Sequence, residues 1–260
     1  MSRTTRSGLV LAAATGAGFL WAGLGTGHDQ SPLAVADLPS SPAPALKVGR
    51  PLRLTPGQYL TQWTVVRERA AAHARPDNAS KVSANLAPST PEGTPNVLAV
   101  VRAETARDGT LWIQVRLPVL PNGTLGWVRR TQLGPYGTVS TRLVVDRTTL
   151  RATLYRAGRR VFAAPIGVGT ASSPTPAGVF IVRNELKGYL DPFYGPIAFG
   201  MTARSALLTD WPAGGFVGIH GTDQPELLPG RVSHGCIRMR NADVLRLSEL
   251  MPVGTPLTIR

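Results

Sequence analysis

Cys236 is the only cysteine in this 260-residue chain, and it sits in the run Ser233-His234-Gly235-Cys236-Ile237-Arg238-Met239. A second histidine, His220, lies upstream, so two of the four histidines in the protein flank one thiol. A free thiol titrates near ~8.5 and is only a few per cent thiolate at neutral pH, so a cysteine nucleophile gains from an imidazole that takes its proton. His220 can reach the sulfur from a neighbouring segment, which makes it the expected general base. The successive amides of His234, Gly235 and Cys236 would converge into a nest for an oxyanion. Gly235 would leave room for an approaching backbone or substrate, and Ser233 would order His234 or touch substrate. Two other readings stand beside this one. Cys236 could be an inert buried side chain, the usual fate of a free cysteine. A zinc site of His220, His234 and Cys236 would lack a fourth ligand at suitable spacing, so neither metal nor cofactor is expected.

These residues need strands to carry them. His220 ends the apolar run Phe216-Val217-Gly218-Ile219 and opens a loop through Gly221-Thr222-Asp223. Leu143–Val145, Leu150–Tyr155, Val161–Val168 and Val179–Val182 read as further strands, with Pro174-Thr175-Pro176-Ala177-Gly178 as a tight turn between the last two. The one convincing helix runs from Asn241 to Met251, with Asn241 as its N-cap, Asp243 in its first turn, and Pro252 and Gly254 beyond its end. Upstream, Val97–Val101, Leu111–Leu117 and Gly126–Val128 alternate with turn signals such as Pro121-Asn122-Gly123. That spacing suggests a small antiparallel barrel or sandwich, with Trp112 and Trp127 in its core. The fold class is therefore mainly β, in two units.

Arg3 and Arg6 precede an uncharged, Ala- and Gly-rich stretch from Gly8 to about Leu24, the layout of a secretory signal or N-terminal membrane anchor. Ala34-Val35-Ala36 offers a cleavage site, and an uncleaved anchor gives the same destination, the cell envelope. Residues 1–36 are assigned to this segment and 37–60 to a Pro- and Ala-rich linker. Export makes the unpaired cysteine informative, because exported chains commonly use cysteines in disulfide pairs. The net charge of +13 rests on arginine, with Lys47, Lys81 and Lys187 the only lysines. It is spread over both halves with no basic stripe interleaved with aromatics, so nucleic acid is not the expected partner. An anionic wall or lipid surface suits the charge equally well.

The residues also carry two resemblances. The segment 111–128 (LWIQVRLPVLPNGTLGWV) is similar to bacterial Src-homology-three-like modules, which gives residues 61–136 a small β-barrel-like fold. His220-Gly221-Thr222, a fixed gap, and then the Ser233–Met239 run resemble the signature of the L,D-transpeptidase catalytic domain. Ile166-Gly167-Val168-Gly169 and Pro174–Phe180 resemble that family's early strands and loop. The resemblance implies a β-sandwich-like catalytic domain over residues 137–260, with one C-terminal helix.

It also implies a reaction. Cys236 would attack the amide between the third and fourth residues of a peptidoglycan stem tetrapeptide and release D-Ala. His220, oriented by the Gly221 carbonyl, would act as base and then acid. The thioester would pass to the amine of a second stem as a 3-3 cross-link, or to another acceptor, and carbapenems would acylate the same thiol. Tyr194 falls in the glycine- and aromatic-rich segment 188–196, where the family carries a lid. Tyr194, Phe216, Ser233 and Arg238 are the implied substrate contacts. Arg238 replaces the asparagine of the commonest form of the motif; it would pair with a stem carboxylate or simply point outward from its strand. The rival functions are an L,D-carboxypeptidase, a papain-like wall endopeptidase and a non-catalytic wall-binding protein. In papain-like enzymes cysteine precedes histidine, the reverse of the order here.

Overall fold

The computed structural model describes residues 49–51, 60–187, 191–208 and 215–260. The expected signal or anchor, nearly all of the expected linker, and Gly188–Leu190 of the expected lid lie outside the described residues. Two sheets make up the described chain, and both belong to one compact unit, Leu46–Arg260.

The first sheet has seven strands: β1 (Thr61–Val66), β2 (Ala70–His73), β3 (Val82–Leu86), β4 (Val97–Thr105), β5 (Leu111–Arg116), β6 (Leu125–Arg129) and β7 (Leu133–Val139). Their order is β3-β2-β6-β5-β4-β1-β7, and every pairing is antiparallel. Leu98, Ile113, Val115 and Val128 fill its core, and Trp112 and Trp127 are both buried. β7 pairs with β1 through Val139. The boundary expected at 137 therefore falls inside a strand of the first sheet, and hydrogen bonding moves it to Ser140.

The second sheet is mixed and has ten strands. They are β8 (Thr141–Asp146), β9 (Arg151–Arg156), β10 (Arg159–Pro165), β11 (Gly167–Gly169), β12 (Gly178–Lys187), β13 (Ile197–Arg204), β14 (Phe216–His220), β15 (Gly230–Ser233), β16 (Ile237–Arg238) and β17 (Pro256–Ile259). The order is β10-β9-β8-β17-β12-β13-β14-β16-β11-β15. β12 turns this sheet into a sandwich-like body. Its first residues, Gly178–Ile181, pair with β17, and from Val182 onward, across a bulge between Val182 and Asn184, it pairs with β13. A strand that changes partners at a bulge makes a corner, so the two halves of the sheet face each other. Leu143 and Leu154 from one half meet Phe199, Ile219 and Ile237 from the other in a single core. The only α-helix among the described residues, α1 (Asn241–Leu250), adds Val244 and Leu247 to that core.

Two sequence expectations change here. The run 161–168 is not one strand: it breaks at Ile166, β10 pairs with β9, and β11 crosses to pair with β15 and β16. Pro165 ends the first piece, consistent with a residue that cannot donate to a central ladder. The 174–178 segment is a crossing loop rather than a tight turn, and it buries the Thr175 side chain.

Candidate active site

β14 and β16 run parallel, with Ile219 opposite Ile237 and His220 opposite Arg238. Ile219 and Ile237 are fully buried in the core. Because side chains alternate along a strand, His220, Arg238 and Cys236 are turned to the opposite face. There the Gly218 amide donates to Cys236 Sγ at 3.4 Å. Thiol and imidazole thus share one face of one strand pair, with Cys236 abreast of Gly218 and His220 two residues further along.

The imidazole is fixed on three sides. Gly221 O lies 2.7 Å from His220 Nδ1; a carbonyl only accepts, so Nδ1 carries the proton and Nε2 keeps its lone pair. Tyr194 meets the ring edge-on at 5.0 Å between centroids, and Phe193 lies against it at 5.9 Å. Both aromatics belong to a single 3₁₀ turn, Pro192–Tyr194, capped by the Asp191 carboxylate, which accepts from the Phe193 amide. His220 is left 2% exposed. Burial pushes its pKa down to about 4, Arg238 adds to the depression, and the Gly221 carbonyl opposes it only in part. The imidazole is therefore neutral at pH 7. Burial also raises the Cys236 thiol above its ordinary range, against the opposing pull of the Gly218 amide and Arg238. The resting pair is a neutral thiol beside a neutral imidazole.

Asn241 is not the helix cap expected of it. Arg240 occupies the N-cap position, and the Asn241 Oδ1 accepts from the Thr222 amide at 2.9 Å. It fixes the loop that follows His220. Gly221 and Gly195 pack against the same oxygen so closely that a Cβ on either would come within 2.4 Å of it.

The turn that carries the thiol is held through its carbonyls. Ser173 Oγ donates to His234 O at 2.8 Å and Thr175 Oγ1 to Gly235 O at 2.9 Å. The Thr170 amide donates to Ser233 O at 3.0 Å. Inside the turn, Ser233 Oγ donates to Cys236 O at 2.6 Å and accepts from the Gly235 amide at 3.2 Å. Two expectations are corrected by these bonds. Ser233 is buried and its hydroxyl closes the turn, so it neither orders His234 nor faces substrate. The Gly235 amide is committed to that hydroxyl and drops out of the expected nest. Gly235 adopts φ +122°, a backbone conformation that side-chain-bearing residues rarely take, and the nearest protein atom to a Cβ there would be Pro174 O at 3.7 Å. Among the described residues no group of three His, Cys, Asp or Glu side chains comes together as a metal site.

Arg238 points inward, which overturns the outward alternative. It is 6% exposed, its guanidinium lies 4.3 Å over the Phe193 ring, and its buried Nε has no hydrogen-bond partner. Phe216 is flanked by Arg183 at 3.6 Å and Arg204 at 4.7 Å, and it lines a narrow cavity with Val217, His234 and Cys236. Phe193, Ser173, Thr175 and Asn241 are the site residues that sequence reasoning missed. Thr175 carried a signal as the one hydroxyl within the Pro174–Gly178 run, and Phe193 as an aromatic of the segment 188–196.

Comparison with known proteins bears on this arrangement. Residues 140–259 match the family model of the L,D-transpeptidase catalytic domain. The YkuD protein of Bacillus licheniformis, named for that activity, is 34% identical over 122 residues, covering 47% of this chain and 67% of the relative. This chain belongs to the L,D-transpeptidase family. The YkuD protein of Bacillus subtilis is 33% identical over 125 residues, 48% of this chain and 68% of its own length. The NMR structure of the catalytic domain of the Enterococcus faecium L,D-transpeptidase overlaps 46% of this chain and 96% of that one, at 27% identity and a TM-score of 0.37. The L,D-transpeptidase match begins at residue 140, where hydrogen bonding divides the first sheet from the second.

Proposed function

We propose that the protein is a peptidoglycan L,D-transpeptidase that works through a Cys236 thioester. The observation that carries this reading is the shared face of β14 and β16, which holds one thiol and one imidazole whose Nδ1 is locked to a carbonyl. Nε2 of His220 takes the thiol proton as sulfur attacks the carbonyl carbon of the third stem residue. The carbon–sulfur bond forms, the carbon–nitrogen bond to D-Ala breaks, and the imidazole returns the proton to the departing amine. In the second half, the side-chain amine of another stem attacks the thioester. The new amide forms, the carbon–sulfur bond breaks, and the amine's proton passes through the imidazole back to sulfur.

The amides of His234 and Cys236 stabilise the tetrahedral oxyanion in this scheme. Arg238 receives a stem carboxylate: a buried guanidinium with an unsatisfied Nε gains most from a planar, charged acceptor. Phe193, Tyr194 and Phe216 supply apolar walls. The substrate is extracellular, which accords with export by residues 1–36 as a signal or anchor.

Incubating the purified protein with a defined stem tetrapeptide and resolving products by mass spectrometry tests this reading. A cross-linked dimer lighter by one D-Ala is expected, absent with Cys236→Ala and reduced at least ~100-fold with His220→Ala, the scale of a lost general base. A carbapenem should leave an adduct that Cys236→Ala abolishes. Folded protein that gives neither dimer nor adduct would refute the assignment.

A further inference from the structure

The loop between β3 and β4 of the first sheet reaches β12, two strands from the β14 strand that meets the thiol. Arg183 Nη2, on β12, donates to Glu92 Oε1 at 2.8 Å and to Oε2 at 2.9 Å. The neighbouring Asn184 Nδ2 donates to Glu92 Oε2 at 3.3 Å and to Thr94 Oγ1 at 3.0 Å. Asn184 spends its other side-chain atom inside the second sheet, where Oδ1 accepts from the Gly200 amide of β13 at 2.9 Å. That bond sits at the bulge where β12 changes partners, and a Cβ on Gly200 would lie 2.1 Å from the same oxygen. Gly200 faces Gly218 on β14, and Gly218 is the amide that donates to Cys236 Sγ.

A second line runs through a ring. Arg183 and Arg204 both flank Phe216, which lines the cavity beside Cys236. Glu92 is the anion paired with the more deeply buried of these two cations, whose side chain is 2% exposed. Removing it would leave two like charges against one ring and the buried one without its anion. Asn122 adds a clamp near the same ring. Its side chain donates to Arg204 O at 2.8 Å and accepts from the Arg204 amide at 3.0 Å, and Arg204 is the register partner of Phe216.

Both lines start in the first sheet and end at the sulfur. We infer that Glu92, together with Thr94, is a positioning residue for Cys236, so that the first sheet is part of what makes the thiol reactive. Its direct electrostatic effect is secondary, because the charged side chain that acts on the thiol is Arg238. Glu92 works by fixing Asn184 and Arg183, and through them the Gly218 amide and the Phe216 wall. A buried ion pair adds little net stability over an apolar replacement, so its value here lies in geometry. The inference rests on Cys236 being the nucleophile.

The test is alkylation of the full chain by iodoacetamide between pH 7 and 9, where the rate tracks the thiolate fraction and one cysteine gives one signal. Glu92→Gln should slow alkylation about tenfold across that range, the scale of one weakened hydrogen bond to a developing thiolate. Thr94→Val removes the hydroxyl that accepts from Asn184 and pairs with Thr90 Oγ1 at 2.8 Å, and should slow it about threefold, whereas Thr94→Ser keeps both bonds and should restore the wild-type rate. Circular dichroism and thermal melting show whether each variant is folded at the assay temperature. Folded Glu92→Gln with an unchanged rate overturns the inference. A faster rate also overturns it, since the contact would then only shield the thiol. If Glu92→Gln does not fold, the threonine pair decides: equal rates for Val and Ser overturn the inference, and a slow Val with a normal Ser supports it. No stem peptide enters this assay, so a failure to cross-link leaves its outcome intact.

Discussion

Acid should destabilise this protein through His220 in a way that one substitution removes. In the folded state the imidazole titrates at about 4 because it is buried beneath Phe193 and Tyr194. In the unfolded chain it takes a proton near its ordinary 6.5. The unfolded state therefore binds the proton first, so the contribution is fully present above about pH 6.5 and is lost as pH falls toward 4. The difference between those two values corresponds to about 3 kcal/mol at its limit, and to about 2 kcal/mol already at pH 5. His220→Gln keeps a donor for the Gly221 carbonyl and cannot titrate. Urea unfolding of both proteins at intervals from pH 7.5 to 4 would isolate the effect, because every other ionisable group is common to the two. The wild-type midpoint should fall faster than that of the variant, by about 1 M over the whole range at the urea sensitivity usual for a domain. Parallel curves would show that the imidazole takes up its proton without cost, and the reading of a buried neutral base would fail.

Two further outcomes follow from the turn and from Arg238. Thr175→Val removes the hydroxyl that donates to Gly235 O and accepts from the Gly169 amide; it should cost about 1–3 kcal/mol in denaturant melts and slow acylation more than the nearly isosteric Thr175→Ser does. Arg238→Lys keeps the charge but loses the planar fork, so KM for a stem tetrapeptide should rise about tenfold with kcat nearly unchanged; a selective fall in kcat would instead place Arg238 with the reacting atoms.

The chemistry was legible because its parts are close together in sequence. The Ser233–Met239 run and the His220-Gly221-Thr222 step each fix a local backbone, and an apolar strand ends at His220. Alternation then forces Ile219 and Ile237 into the core and His220, Cys236 and Arg238 to the other face of the strand pair, which sequence can express. What it could not express are partners distant along the chain. Asn241 satisfied the rule for a helix cap but serves a loop that precedes it by nineteen positions. The 161–168 run is apolar throughout, so periodicity gave no mark of the point where it leaves one edge of the sheet for the other. Glu92 sits in a polar loop that looks solvent-facing until β12 is folded beside it, ninety-one residues on.

Burial accounts for more than the pKa of one histidine. The same desolvation moves imidazole and thiol in opposite directions, His220 downward and Cys236 upward, and so opposes the imidazolium–thiolate pair on which many cysteine enzymes rest. A neutral thiol is a poor nucleophile and a poor target for stray electrophiles. Reactivity must then be created when substrate arrives. A stem carboxylate on Arg238 would neutralise the cation that now depresses His220, and the imidazole beside it would become the stronger base. Substrate binding and base activation would in that case be one event, linked through the cross-strand pair His220–Arg238.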